Sequence, residues 1–288
     1  MFAPRIGRNE AFNHAGNAAA AGLAALLAWW LGPVVVFWLM GVLAVLSVAA
    51  AVRIRADEID EDAARGLSAD VREHEPASVW RVLLTNRTLL TFAAVAFAFH
   101  LANAAMLTSV SQLLTRLEGK DYATTLVAAC VLAAQVVMIP VAILAGRRAD
   151  RWGRKPLFLI AFAVLTVRGA LYPMSDDSAW LLAVQALDGV GAGIFGALFP
   201  IVIADLTRGT GRFNVAQGAV STAQGLGASL SAALAGTIIV AGGYTLAFWT
   251  LAGIAAAGLL LYALFMPETK PFYFSGDTPQ GASSPAEP

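Results

Sequence analysis

The chain has 288 residues, of which 58% are hydrophobic and 13% charged, with 19 basic side chains balancing 19 acidic ones. A soluble domain carries about 25% charge, so this chain lacks the polar groups to cover a globule in water. Zero net charge gives nucleic acid no electrostatic footprint, and one cysteine excludes a disulfide framework or a cysteine-based metal cluster.

The charges are clustered, and the gaps between them have the length of membrane spans. No charge occurs in the 42 residues between Glu10 and Arg53, and Gly32-Pro33 divides that run into two predicted helices, about 15–31 and 33–52. A cleaved leader is not expected: the run opens on polar Arg8-Asn9-Glu10, exceeds the usual apolar length and feeds a second span. Arg53–Thr88 is the long polar connection, rich in charge (Asp57, Glu58, Asp60, Glu61, Asp62, Arg65) and containing Pro76. It reads as a linker with an amphipathic helix around 78–84.

Arg87 to Arg116 leaves 28 uncharged residues and Asp121 to Arg147 leaves 25. Lys155 to Asp176 leaves 20 with Arg168 inside, and Asp177 to Asp205 leaves 27 with Asp188 inside. Arg212 to Glu268 leaves 55, divided by Gly242-Gly243. A spanning helix needs about 20 apolar residues rising 1.5 Å each. The expected fold class is therefore all-α, a polytopic membrane protein with about eight transmembrane helices. The tail, 271–288, is compositionally disordered.

Lysine and arginine counts orient the chain. With the N-terminus in the cytoplasm, the inner segments carry 16 of these residues, while only Arg116 and Lys120 lie outside and Arg168 lies within a span. Both termini are expected to be cytoplasmic, at the inner (plasma) membrane.

Polar residues inside spans are functional candidates, because lipid disfavours them. Asp188 lies roughly 9 residues, about 14 Å, into its span. Arg168, near the outer end of the adjacent antiparallel span, is close enough to reach it. The two form either a structural ion pair pinning the hairpin or a site of proton coupling or substrate recognition. Asn214, Gln217, Ser221 and Gln224 share one helical face, as do His100, Asn103 and Ser111 with Thr108 beside them. Interhelical hydrogen bonding and cavity lining both fit these stripes. Gln185 and Gln135 are weaker candidates, Cys130 reads as a small apolar packer, and His100 without partners is no metal ligand. Gly189 to Gly196 contains a Gly-x-Gly-x-x-Gly spacing, but no strand precedes it, so Gly189 and Gly193 are expected to permit close helix packing instead.

The first two helices echo the last two. Phe12-Asn13-His14-Ala15 resembles Phe213-Asn214-Val215-Ala216, and each is followed by an Ala/Gly-rich span, a glycine break and an aromatic pair, Phe37-Trp38 or Phe248-Trp249. If the repeat unit has six helices, the first two here are members five and six of an earlier unit, and residue 1 falls near the equivalent of Val202. Such repeats build many transporters, with the substrate site between them.

The turn between the fourth and fifth spans reads Gly146-Arg147-Arg148-Ala149-Asp150-Arg151-Trp152-Gly153-Arg154-Lys155-Pro156. Its glycines permit a sharp turn, its five cations anchor it at the inner face, and one carboxylate sits among them. A plain positive-inside loop explains the arginines but not Asp150 between spaced glycines. The segment resembles the signature loop of the major facilitator superfamily, Gly-x-x-x-Asp-Arg-x-Gly-Arg-Arg/Lys, which joins helices two and three and recurs between eight and nine.

Placed at the second site, the resemblance makes the eight spans helices five to twelve. It implies a partial major-facilitator fold: 1–52 the last two helices of an incomplete N-terminal bundle, 53–88 the central cytoplasmic loop, 89–270 a complete six-helix C-terminal bundle, and 271–288 a tail. Pro267-Glu268-Thr269 resembles a common ending of helix twelve. The resemblance further implies a gating motif of Gly146, Asp150, Arg151, Gly153, Arg154, Lys155 and Asp205. Asp150 would cap the first span around Arg8–Phe12, and Arg154 would pair with Asp205, contacts made in one state and broken in the other. Arg148 stands where the family often has leucine. The two polar stripes would line the cavity, on helices seven and eleven.

The expected function is secondary active transport of a small solute by alternating access, with proton-coupled efflux as one form. The alternative is a truncated or non-transporting membrane protein, or a partner subunit, lacking the first four helices. An intramembrane enzyme is not expected, for the sequence has no His-Glu-x-x-His, no paired membrane aspartates and no Ser/His constellation. No cofactor or metal is expected, and the expected partners are the lipid bilayer, a small solute and, in a coupled mechanism, protons.

Overall fold

The computed structural model describes residues 2–32, 34–61, 64, 66 and 85–270. The amphipathic helix expected around 78–84, the tail 271–288, and Arg65, Arg72 and Arg81 lie outside the described residues.

Among the described residues, six helical segments are long and apolar enough to cross a bilayer: Val35–Val52, Arg87–Glu118, Thr125–Trp152, Arg154–Met174, Ser178–Thr207 and Phe213–Phe265. The last has 53 residues, about 80 Å as one straight helix, far more than a ~30 Å hydrocarbon core can hold. Gly243, at φ 81° and ψ 177°, divides it. A side chain at that φ would be strained, so this is where the chain can turn back. The expected first span, 15–31, is the second half of a longer helix, Phe2–Leu31. That helix is less apolar than the six, because it carries Arg5, Arg8, Glu10, Asn13, His14 and Asn17.

The helices are numbered α1 (Phe2–Leu31), α2 (Val35–Val52), α3 (Arg87–Glu118), α4 (Lys120–Trp152), α5 (Arg154–Leu171), α6 (Ser178–Thr207), α7 (213–242) and α8 (244–265). A 3-10 turn, Tyr172–Met174, follows α5. In α6 the helical pattern falters at Leu187, where the Leu187 and Val190 amides bond three residues back, to Val184 and Leu187. Asp188 therefore opens the second half of α6, at a helix N-terminus that favours a negative charge.

The core lies among α3, α5, α6 and α8. Phe99 stacks on Phe195 at 4.5 Å and meets Phe162 edge-on at 5.2 Å, while Phe158 packs against Phe195 at 5.5 Å and Tyr262 at 5.2 Å. Small residues let backbones approach elsewhere. A Cβ added to Gly189 would lie 2.5 Å from the Ala134 oxygen, and one on Gly193 would lie 3.1 Å from Val141, so this pair seats α6 on α4. Outward faces are greasy: Val136, Leu144, Ile160, Val167, Leu260 and Leu264 are all exposed. Apolar exposure on this scale suits lipid rather than water.

α1 packs along α4 and touches α6; α2 packs on α1 and buries none of its own residues. The register of the internal repeat differs from the expectation. Gly32 (φ 85°) and Gly243 (φ 81°) break their helix pairs equivalently, and Phe37-Trp38 follows the first break at the same spacing as Phe248-Trp249 follows the second. Phe2, not Phe12, therefore corresponds to Phe213, and the equivalence of residue 1 with Val202 does not hold. The Phe-Asn match is displaced by almost three helical turns.

Candidate functional site

Two polar constellations are built around the charges at the α4–α5 turn and inside the helix bundle. The first is the turn between α4 and α5. Gly153, at φ 95°, reverses the chain there, and a Cβ on it would lie 2.4 Å from Glu268 Oε2. The Glu268 carboxylate occupies that space: Oε1 accepts from the Arg154 amide at 2.8 Å and Oε2 from the Lys155 amide at 3.0 Å. It thus caps the start of α5, satisfying amides that have no partner within the helix. Lys155 Nζ donates to the Ala263 carbonyl at 2.8 Å, and Lys270 Nζ to the Arg151 carbonyl at 3.2 Å.

The Arg154 side chain reaches the other way. Its Nε donates to Asp205 Oδ2 at 2.8 Å, and its Nη1 lies 3.0 Å from both the Ala149 carbonyl and Asp150 Oδ1. Arg154 and Asp205 are almost fully buried, whereas Asp150 is 57% exposed. Arg208 adds a second cation to Asp205 at 3.2 Å. One arginine therefore ties the ends of α4, α5 and α6, and through Glu268 the end of α8. Arg148 lies over the Trp152 ring at 5.0 Å.

The expected cap of Arg8–Phe12 by Asp150 is not found. Those residues are the interior of α1, whose amides are already bonded within the helix, so there is no end to cap. What meets α1 is Gly146. A Cβ there would lie 2.7 Å from the Gly7 Cα and 2.8 Å from the Ala3 oxygen, and one on Gly7 would lie 2.5 Å from the Ala142 oxygen. The two backbones touch with no side chain between them.

The second constellation is inside the bundle. Arg168, 1% exposed, forms an ion pair with Asp188. Its Nη2 donates to Asn103 Oδ1 at 2.6 Å and approaches the Met106 sulfur at 3.0 Å. Gln185 Nε2 donates to Asp188 Oδ2 at 3.3 Å, and the Tyr172 hydroxyl donates to Gln185 Oε1. Three helices, α3, α5 and α6, thereby converge on one neutralised charge pair. Such a pair needs added hydrogen bonds to offset desolvation, and Asn103 and Gln185 provide them.

The other candidates are dispersed. His100 Nδ1 donates to the Ala96 carbonyl, 3.0 Å away, and the ring sits against Phe195 with centres 4.9 Å apart. Ser111 bonds back to Leu107, and Cys130 is buried. Gln135 accepts from His14 across α1 and α4 at 2.9 Å. Asn214 and Ser221 are exposed and Gln217 and Gln224 half-buried, because the packed face of α7 is Ala216, Ala219, Val220 and Gly227. That polar stripe lies at the margin of the packed face, with Gln217 and Gln224 one turn from Val220 and Gly227.

A family model described as Major Facilitator Superfamily matches residues 3–147 and 119–273. The chain belongs to the major facilitator superfamily. It is 57% identical to the uncharacterized MFS-type transporter Rv2456c of Mycobacterium tuberculosis over 270 residues, 93% of this chain and 64% of that protein. The chain thus spans 64% of the length of that relative. From the same organism, the uncharacterized MFS-type transporter Rv1250 is 31% identical over 43% of this chain and 21% of its own length. The drug efflux pump JefA is 30% identical over 38% of this chain and 23% of its own. The chain is therefore a multi-pass membrane protein of a transporter family, not an enzyme.

Within this major-facilitator chain, sequence reasoning assigned no role to Glu268, which it met only as the end of a helix. The signal was there in weak form: a carboxylate just past a span whose neighbours in the fold are helix-start amides. Burial pushes the Glu268 carboxyl up, but the Arg154, Lys270 and Lys155 amides and the Arg154 charge outweigh it and hold it below its ordinary 4.5. A depressed carboxyl contributes stability that is complete above its ordinary value and lost as pH falls through the lower folded value. Amide-exchange protection of Arg154 and Lys155, corrected for intrinsic rates, is expected to persist above about 4.5 and collapse on further acidification. Glu268→Gln should show the unprotected state at every pH.

Proposed function

We propose that this chain carries the C-terminal bundle and two adjoining helices of a secondary transporter for a small solute, working by alternating access in the inner membrane. The observation that carries this is the Arg168–Asp188 pair: two charges are retained inside an apolar bundle, where a purely structural role could be filled by packed hydrophobic residues. The pair cancels its own charge and is flanked by neutral amides, which favours drug-like or sugar-like solutes over multiply charged ones. The similarity to the drug efflux pump JefA supports export as the direction, and Asp188 is the candidate for proton coupling.

In this reading, 16 lysines and arginines against two hold both termini and the Gly146–Pro156 turn in the cytoplasm. The contact of Gly7 with Gly146 is the cytoplasmic gate, and the Arg154, Asp205 and Glu268 cluster keeps the bundle end rigid while α1 moves against it. Ethidium serves as a cationic drug-like probe. Cells producing the chain should extrude it faster than cells without it, and Asp188→Asn or Arg154→Gln should return extrusion to background at equal membrane abundance. The exposed Asp150, changed to Asn, should have the smaller effect.

A second reading rests on α2, which buries no residue, and on Trp29, Trp30, Phe37 and Trp38, all widely exposed. In it, the chain completes a cavity only with further helices and does not transport alone. Extrusion no faster than in cells lacking the chain would favour this reading and overturn the first.

A further inference from the structure

Where α1 meets α4, about two turns deeper than the Gly7–Gly146 contact, lies a histidine that none of the preceding assignments uses. His14 is 8% exposed. Its Nδ1 lies 2.9 Å from Gln135 Oε1. An amide oxygen only accepts, so Nδ1 carries a hydrogen. In the neutral ring the other nitrogen, Nε2, is then a bare acceptor, and it is buried without a partner. Facing it at 4.0 Å, one turn back on α1, is Glu10 Oε2. A carboxylate likewise only accepts, so the buried Nε2 faces a second acceptor, on a side chain that keeps 28% of its surface open to solvent.

We infer that His14, Glu10 and Gln135 form a proton-binding site at the junction of α1 and α4. One proton added to Nε2 converts the confrontation into a charge-assisted hydrogen bond to Glu10, while the Nδ1 bond to Gln135 is kept. The proton comes from water and no other bond changes. Room for the carboxylate comes from Gly196 on α6, where an added Cβ would lie 3.4 Å from Glu10 Oε2. Asn13 Nδ2 also donates to that oxygen, at 3.4 Å.

The packed helices bring neutral groups to the site, Gln135 from α4 and Gly196 from α6. The charged residues of α4 nearest in sequence, Arg147 and beyond, lie at least 12 residues from Gln135, about 18 Å. On α6, Asp188 and Asp205 are 8 and 9 residues from Gly196, no nearer than about 12 Å. α2 has no charged residue, and Arg5 and Arg8 lie on the exposed side of α1. Glu10 is thus the ionic partner of His14.

Separating α1 from α4 would break the Gln135 bond and wet the ring, so proton affinity and opening of the junction are coupled. That consequence rests on the gating reading above; proton binding itself does not, and is read without any transport assay.

The test is nitrogen-15 histidine NMR on the chain in lipid nanodiscs, with the proton as the only ligand. The chain has three histidines, His14, His74 and His100. His14→Gln assigns the signal, and if that variant does not fold, His74→Gln and His100→Gln assign it by elimination. The neutral His14 ring is expected to hold its hydrogen on Nδ1, the minor tautomer of a histidine side chain free in water. Acidification should add a hydrogen at Nε2 while the fold persists, with a downfield Nε2–H signal that is lost in Glu10→Gln. A neutral ring already protonated on Nε2 would overturn the inference, since no vacancy would remain. So would a ring that stays neutral until the protein unfolds, or an Nε2–H signal unchanged in Glu10→Gln.

Discussion

Replacing Asp188 with alanine is expected to destabilise the protein by about 3–5 kcal/mol, the usual effect of removing one member of a buried pair. Arg168 would keep Asn103 and Met106, and its guanidinium lies 5.9 Å from the centre of the Tyr172 ring. None of these carries a negative charge. At 1% exposure the guanidinium also has no path to water. Thermal unfolding in detergent, followed by tryptophan fluorescence, reads the loss. The paired change Arg168→Met with Asp188→Leu should recover most of the stability, because packed apolar side chains of similar volume often replace a buried ion pair without loss. Ethidium extrusion should not recover with it, and that divergence separates folding from function. A loss under about 1 kcal/mol in the single variant, the range of solvent-exposed pairs, would mean that the arginine is not confined as described.

The second large effect is expected at Gly146. Valine there would place its Cβ within 3 Å of Gly7 and Ala3 backbone atoms, which cannot yield as a flexible side chain can. Overpacking of this kind costs about 1–3 kcal/mol, and α1 has little to set against it, since its buried residues are Ala3, Gly7, Ala11 and His14. The helix should therefore leave α4. Spin labels at the exposed positions Phe12 and Leu144 report the separation: a single distance in the parent is expected to lengthen and broaden in Gly146→Val. Gly16→Val is the control, because a Cβ at Gly16 meets nothing within 4 Å. An unchanged distance in the Gly146 variant would remove the backbone contact from any role in gating.

The two buried charges and their mutual reach were legible from spacing alone, since antiparallel spans place residues at matching depth side by side. The Arg154–Asp205 contact was likewise named from the signature loop. Other expectations failed where they depended on a helix end. The resemblance implied that Asp150 caps the first span around Arg8–Phe12, but those residues lie inside a helix, Phe2–Leu31, whose first half no hydropathy pattern marks as spanning. The His14–Gln135 bond joins residues 121 apart, and the Glu268 cap joins residues 114 apart; no local periodicity encodes either.

By itself the sequence determined what the solvent demands: apolar segments of bilayer length, charges confined to their ends, glycines where the chain reverses, and the few polar groups retained in between. These follow from hydrophobic burial and backbone hydrogen bonding, which act on each segment separately. Only the tertiary structure decided which helix touches which, that the motif meets α1 through a bare glycine rather than its carboxylate, and that the α7 stripe flanks the packed face instead of forming it. Between helices immersed in lipid there is little hydrophobic preference to choose partners; shape and a small number of hydrogen bonds choose them, and both depend on positions in three dimensions.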